Sequence, residues 1–281
     1  MAEIFNNREM AILFWGSIFF IGALFNKEMR SSFHEFLRVL FVKQITLLLI
    51  YMILYVFLLV LLFNAIGFWD NSAMKDTILW TLSVAMIMFI NSNKANRDER
   101  YFRNIVIDNF KLTLILEFVV NIFTFSLIAE IIIVPLIVIA AVMKAIVRRK
   151  PESKQVDSIL GIALGIFGSF ILLFTIYKMI ANFDDLASLR NLRDFLLPIV
   201  LTVTFVPFVY LMALYFRYEN IFIRIDRFNK NSELAKYAKK KILTTYHFNL
   251  RKLNRWSNKT GILRFNTEEE ILTSIQRCEG I

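Results

Sequence analysis

Apolar residues run along this chain in long unbroken stretches, separated by short charged segments. About 20 consecutive apolar residues, within a range of about 17 to 25, suffice for a helix to cross a bilayer. Residues 10–25, 44–68, 77–91, 158–180 and 195–216 are the clear candidates, the first and third being short. Residues 112–147 are too long for one crossing. At about 1.5 Å per residue they would reach about 54 Å, against a hydrocarbon core of about 30 Å. Either one helix runs far out of the bilayer, or the stretch folds into a hairpin. Glu130 and Pro135 mark the turn of such a hairpin, because a charge and a ring without an N–H both favour a helix end.

Two regions have a different period. Residues 29–43 place Phe33, Phe36, Leu37, Leu40 and Phe41 on one helical face and Arg30, His34, Glu35 and Arg38 on the other. This pattern predicts an amphipathic helix lying on the inner leaflet. From Arg217 onward the chain reads as a separate, basic helical tail. Helices are expected over 232–245 and 249–257, and a third opens at the capping-box pattern Thr267-Glu268-Glu269-Glu270. The tail holds few large apolar side chains, so it is expected to have a small core and to rest on the membrane, a sister subunit or a partner. The domains are therefore 1–216, in the membrane, and 217–281, outside it.

Composition sharpens this picture. Of 281 residues 57% are hydrophobic, Phe alone accounts for 29, and Gly (8) and Pro (4) are scarce. Mean hydropathy is +0.57. The fold class expected is all-α, a polytopic membrane helix bundle of about six or seven spans. The first apolar run has no small-residue cleavage site after it and reads as a retained span. The lone cysteine, Cys278, excludes an internal disulfide, and no Cys/His cluster of zinc-binding spacing exists. No phosphate-binding glycine loop, HExxH or GxSxG occurs. The reading is a non-enzyme without cofactor or metal.

The formal net charge is +10, and its distribution sets orientation. With seven crossings and the N-terminus outside, every Lys and Arg except Arg8, Lys75, Lys178, Arg190 and Arg193 faces the cytosol, as the positive-inside bias requires. A single crossing at 112–147 would invert everything after residue 147. The expected location is thus a bacterial inner membrane, with the C-terminus cytoplasmic.

Four constellations could carry function. Glu117, Asn121 and Thr124 share a helix face, and Ser126 and Glu130 form a further i, i+4 pair. Acidic and hydroxyl side chains inside a bilayer suit a pore lining or ion site, or they hydrogen-bond neighbouring helices. Gly161, Gly165 and Gly168 form a small-residue face for helix packing, within one chain or between subunits. Pro198 and Pro207 can kink the last span, as a hinge or as a static bend. Thr202 and Thr204 stand near enough to satisfy carbonyls that the rings leave free. Lys236, Lys239, Lys240, Lys241, Arg251, Lys252 and Arg255, interleaved with Tyr237, Tyr246, Phe248 and Trp256, suit an anionic nucleotide or oligonucleotide. They suit anionic lipid equally.

Several stretches resemble a group of uncharacterised bacterial multi-span membrane proteins. They are Gly67-Phe68-Trp69-Asp70 with Lys75-Asp76-Thr77-Ile78, Asn109-Phe110-Lys111 through Leu116-Glu117-Phe118, and Thr124-Phe125-Ser126-Leu127. Leu196-Leu197-Pro198 through Phe205-Val206-Pro207-Phe208 is another, as is Ala238-Lys239-Lys240-Lys241 followed by Asn249-Leu250-Arg251-Lys252-Leu253. Such proteins are similar to membrane effectors of antiviral defence loci. The resemblance implies a membrane-disrupting or channel-forming role and carries over no catalytic residue. The combined expectation is an oligomeric pore or channel-like effector controlled by a cytosolic ligand or protein partner. A transporter or permease subunit is the alternative, though no inverted repeat supports it. A non-catalytic scaffold that recruits a cytosolic partner through the tail is another.

Overall fold

The computed structural model describes residues 5–96, 101–104, 124–148, 153–181, 189–229, 231–261 and 263–279. These residues are helical and contain no strand. Six helices among them are long and apolar enough to cross a membrane. The protein is an all-α, membrane-embedded chain. It divides into two compact units, Met1–Tyr51 with Phe110–Leu197, and Met52–Asn109 with Pro198–Ile281. The expected boundary at residue 217 falls inside the second of these units.

In the first unit, α1 (Asn7–Phe25) opens on a capping box in which Asn6 and Glu9 each accept the other's backbone N–H at 2.8 Å. Asn26 ends α1, and its side chain caps the next helix, α2 (Lys27–Leu40), by accepting from the Glu28 and Met29 N–H groups. No residue of α2 is buried. Only Phe41 and Val42 separate it from α3 (Lys43–Ala65), which runs from the first unit into the second. Phe33 packs edge-on against Phe20 of α1 with ring centroids 5.5 Å apart, while Phe36 and Phe41 are exposed.

The α6 helix (Leu127–Val147) packs along α1 and along α7 (Lys154–Ala181). Ser126 caps α6 by accepting the Ala129 N–H. Glu130 stands in its first turn and Pro135 in its interior, so neither marks a hairpin turn. The helix tolerates Pro135 because of a long-range partner. Pro135 has no N–H to offer the carbonyl of Ile131, four residues back, and the Trp15 indole of α1 donates to that carbonyl at 2.8 Å. Trp15→Phe is expected to destabilise the first unit by about 1–2 kcal/mol. Adding Pro135→Ala, which restores the backbone donor, should recover most of the loss. Unfolding of the two variants in detergent micelles checks this.

In the second unit, Gly67 (φ +73) turns the chain after α3. Residues Asn71–Ala95 then form one apolar helical run containing α4 (Met74–Trp80), a π turn at Thr81–Ala85 and α5 (Met86–Asn91). Trp69 is buried, and its indole donates to Thr77 Oγ1 at 2.9 Å, which places the ring inside the unit rather than at an exposed headgroup position. Tyr55, Trp80, Phe205 and Phe208 form an aromatic core with ring centroids 5.0–5.9 Å apart.

The last span belongs to α8 (Leu189–Phe228), a helix of 40 residues. At about 1.5 Å per residue it is about 60 Å long, twice the hydrocarbon thickness. Its far half is covered by α9 (Ser232–Tyr246), α10 (Leu250–Thr260) and α11 (Glu268–Glu279). Ala213, Leu214, Tyr218, Ile221 and Ile225 of α8 share one core with Leu234, Ile242, Tyr246, Leu253, Trp256, Leu263, Phe265, Ile271 and Ile275. Of these α8 residues Ala213 and Leu214 precede Arg217, and Tyr218, Ile221 and Ile225 follow it, so the core takes in the end of the last span as well as the tail.

Asn229 closes this unit. Its side-chain amide donates to the carbonyls of Ile225 and Leu263, and its Oδ1 accepts the Phe265 N–H. At α11, Thr267 accepts the Glu270 N–H at 3.3 Å, while Glu270 Oε2 accepts the Asn266 N–H at 2.7 Å, one residue earlier than the capping-box pattern specifies. That backbone hydrogen bond holds the Glu270 carboxyl below its ordinary pKa. A depressed folded-state pKa contributes stability above the unfolded value, and this is lost as pH falls through the folded value. The start of α11 is expected to fray as the solution is acidified below the ordinary carboxylate pKa. Glu270→Gln should flatten that dependence in amide hydrogen exchange of 267–272.

Candidate anion-binding cleft in the C-terminal unit

Helix α10 is strongly two-faced. Leu250, Leu253, Trp256 and Ser257 are buried in the shared core, and Arg251, Lys252, Arg255 and Lys259 lie on the exposed face. Asn249 starts the helix by accepting the Lys252 N–H at 3.0 Å. Three contacts align α10 beside α8, running the same way. The Tyr210 hydroxyl accepts the Leu250 N–H and donates to the Phe248 carbonyl. The Arg217 guanidinium donates to the Asn254 carbonyl and Asn258 Oδ1. Arg224 donates to the Gly261 carbonyl.

This alignment leaves an open cleft of about 480 Å³, lined by Ala95, Phe102, Tyr210, Asn249, Leu250, Arg251, Lys252, Asn254 and Arg255. A second of about 560 Å³ shares Tyr210, Asn249 and Lys252 and adds residues 245–248. Both fall in the size range of ligand sites, about 300–1,000 Å³. The first holds three cations and no carboxylate, with the tilted Phe102 and Tyr210 rings 5.4 Å apart on one wall. Lys252 and Arg255 make no side-chain hydrogen bond or ion pair among the described residues. Asn254 Oδ1 is buried there without a partner. Guanidinium and ammonium groups are the side chains that supply charge-assisted donors to a phosphate.

The structure separates the basic residues that the sequence groups together. Lys236 pairs with Glu233 at 2.9 Å, and Lys239 pairs with Asp226 at 2.6 Å above the Phe222 ring. Lys240 is exposed and Lys241 half-buried on α9, and neither lines either of these two clefts. Tyr246 and Trp256 belong to the core. Tyr210, Phe102, Asn249 and Asn254 have no signal in charge pattern alone. Asn249 is legible as a helix cap immediately before the basic face.

The other expected positions scatter. Glu117 and Asn121 lie outside the described residues. Thr124 is half-buried just before α6. Glu130 is fully buried, and its carboxylate accepts from Arg8 at 2.9 and 3.2 Å and from the Phe125 N–H at 3.0 Å. It is an ion-paired clamp between α1 and α6, not a side chain lining a path in the single chain. Beside it Asn7 donates to the Phe125 carbonyl at 2.8 Å. A Cβ added at Gly161 would come 2.5 Å from Lys144 Nζ, whereas among the described residues nothing lies within 4 Å of one added at Gly165 or Gly168. Among the described residues the glycine face accommodates a lysine side chain at Gly161.

Pro198 and Pro207 both lie within α8, which continues through them. The Thr202 and Thr204 hydroxyls donate to the carbonyls of Pro198 and Val200, four residues back. Pro207 frees the carbonyl of Val203 instead, so these hydroxyls do not serve the role expected of them. The Tyr55 hydroxyl donates at 2.9 Å to the neighbouring Thr204 carbonyl. Among the described residues no group of three His, Cys, Asp or Glu side chains could hold a metal. No protein-family profile, curated protein or solved structure matches the chain.

Proposed function

We propose that this protein is an oligomeric pore or channel-like membrane effector, controlled from the cytosolic side through its C-terminal helical unit. The carrying observation is the continuity of α8. One helix passes through the aromatic core around Phe205 and Phe208 and then forms a wall of the core that supports α10 and its basic cleft. A change of packing around the cleft is then a change in the position of a membrane helix. Pro198 and Pro207 give that helix places to bend. In this reading the N-terminus is outside, the membrane is a bacterial inner membrane and the role is in antiviral defence. The controlling ligand is anionic or is a protein partner, and Glu117, Asn121 and Thr124 line the path.

The deciding experiment is conductance of the purified full-length protein in planar bilayers. Discrete current steps that change when Lys252 and Arg255 are replaced by glutamate support the reading. A silent bilayer with folded protein moves the assignment to a transporter or a scaffold. Steps that are unchanged in Glu117→Ala with Asn121→Ala remove those two residues from the lining.

A further inference from the structure

The corner between α9 and α10 has a fixed height along α8. Between Arg193 and Arg217, α8 carries no charged side chain beyond Asp194. About twenty residues at about 1.5 Å each cross the hydrocarbon core, which places its far boundary near Ala213. Tyr210 and the corner it holds stand at that level. The tyrosine itself has the amphipathic character favoured where acyl chains meet headgroups.

The corner is tied to α8 at both of its residues. Tyr218 donates to the His247 carbonyl at 2.8 Å, and Tyr210 donates to that of Phe248. His247 adopts a positive φ of 42°, which turns the chain sharply at the end of α9. Phe248 follows it and is 70% exposed, although it adjoins a well-formed core. One turn further along the exposed side of α10 stand Lys252 and Arg255. An aromatic tip at the acyl boundary with cations just above it matches the layering of a phospholipid leaflet, apolar below and phosphate above.

We propose that this corner docks on the phospholipid leaflet from which α8 emerges, with Phe248 entering the acyl layer and Lys252 and Arg255 taking lipid phosphates. The inference goes beyond pore activity and stands without it. It commits the cleft to headgroup phosphate supplied by the bilayer. Phe248 also lines the second cleft, so a soluble nucleotide is the competing occupant that the oligonucleotide arm of the test separates.

The test uses full-length protein in nanodiscs of phosphatidylcholine alone or mixed equally with phosphatidylglycerol. In Cys278→Ser, a spin label at Phe248→Cys is expected to respond to membrane-dissolved oxygen more than to an aqueous nickel chelate. A label at Glu233→Cys on α9 should stay aqueous in both bilayers, and protease resistance of 213–261 reports that the unit is folded. Amine-reactive labelling of Lys252 should slow roughly fivefold in the anionic bilayer, the effect of about 1 kcal/mol per surface cation, while Lys240 is unaffected. Lys252→Glu with Arg255→Glu should return the label at residue 248 to water. A label at 248 that is aqueous in both bilayers overturns the proposal. So does protection of Lys252 by a short oligonucleotide in pure phosphatidylcholine that equals the protection by anionic lipid.

Discussion

Replacing Glu130 by alanine is expected to destabilise the first unit by about 3–5 kcal/mol, the range for breaking a buried pair from one side. The carboxylate is wholly inaccessible and is saturated by Arg8 and the Phe125 N–H. Without it the Arg8 guanidinium, 14% exposed, loses its two hydrogen bonds to the carboxylate. Arg8→Ala should cost a similar amount by stranding the carboxylate. The double variant Arg8→Met with Glu130→Leu should lose much less, since neither charge then needs a partner. Thermal unfolding in a mild detergent, with Lys259→Ala as an exposed control, checks the three values. If Glu130→Ala unfolds no earlier than the control, the pair is ornamental. The same series separates clamp from pore lining: a clamp residue changes conductance only together with folding, whereas a lining residue changes selectivity in a folded protein.

The spans are legible because a bilayer imposes length and apolarity on each one separately, with no reference to its neighbours. The same holds for α2, whose two faces appear in the sequence at helical spacing, and for α9, which begins at the expected Ser232. What is hidden involves pairs far apart in the chain. Pro135 reads as a helix end because the Trp15 indole that serves the freed carbonyl lies 116 residues away. Glu130 reads as a free intramembrane acid because Arg8 is 122 residues away. The basic run of α9 reads as one surface until Asp226 and Glu233 are seen to take two of its lysines. The extension of α8 was in principle readable. Leu214, Tyr218, Ile221 and Ile225 continue an apolar stripe at spacings of three and four past Arg217, where the helix changes from apolar all round to amphipathic. Charge at Arg217, Glu219 and Arg224 masks that stripe when mean apolarity alone is followed.

Trp256→Ala is the corresponding expectation for the C-terminal unit, at about 3–5 kcal/mol. Trp256 is completely buried, stands 5.7 Å from the Tyr246 ring and donates to Ser274 Oγ at 3.3 Å. Truncation leaves a cavity where α9, α10 and α11 meet and leaves the Ser274 hydroxyl without its donor. Trp256→Phe should cost markedly less, because it keeps most of the volume and loses chiefly the hydrogen bond. Because the same core includes Ile221 and Ile225 of α8, the loss should extend to the far half of that helix. The expected signature is faster proteolysis throughout 213–261 with membrane insertion unchanged, since the apolar spans need none of these contacts. Cleavage confined to 247–261, with the 213–228 segment as resistant as in the unaltered protein, would mean that the tail opens on its own. Motion of the basic cleft could not then be transmitted to the membrane through α8.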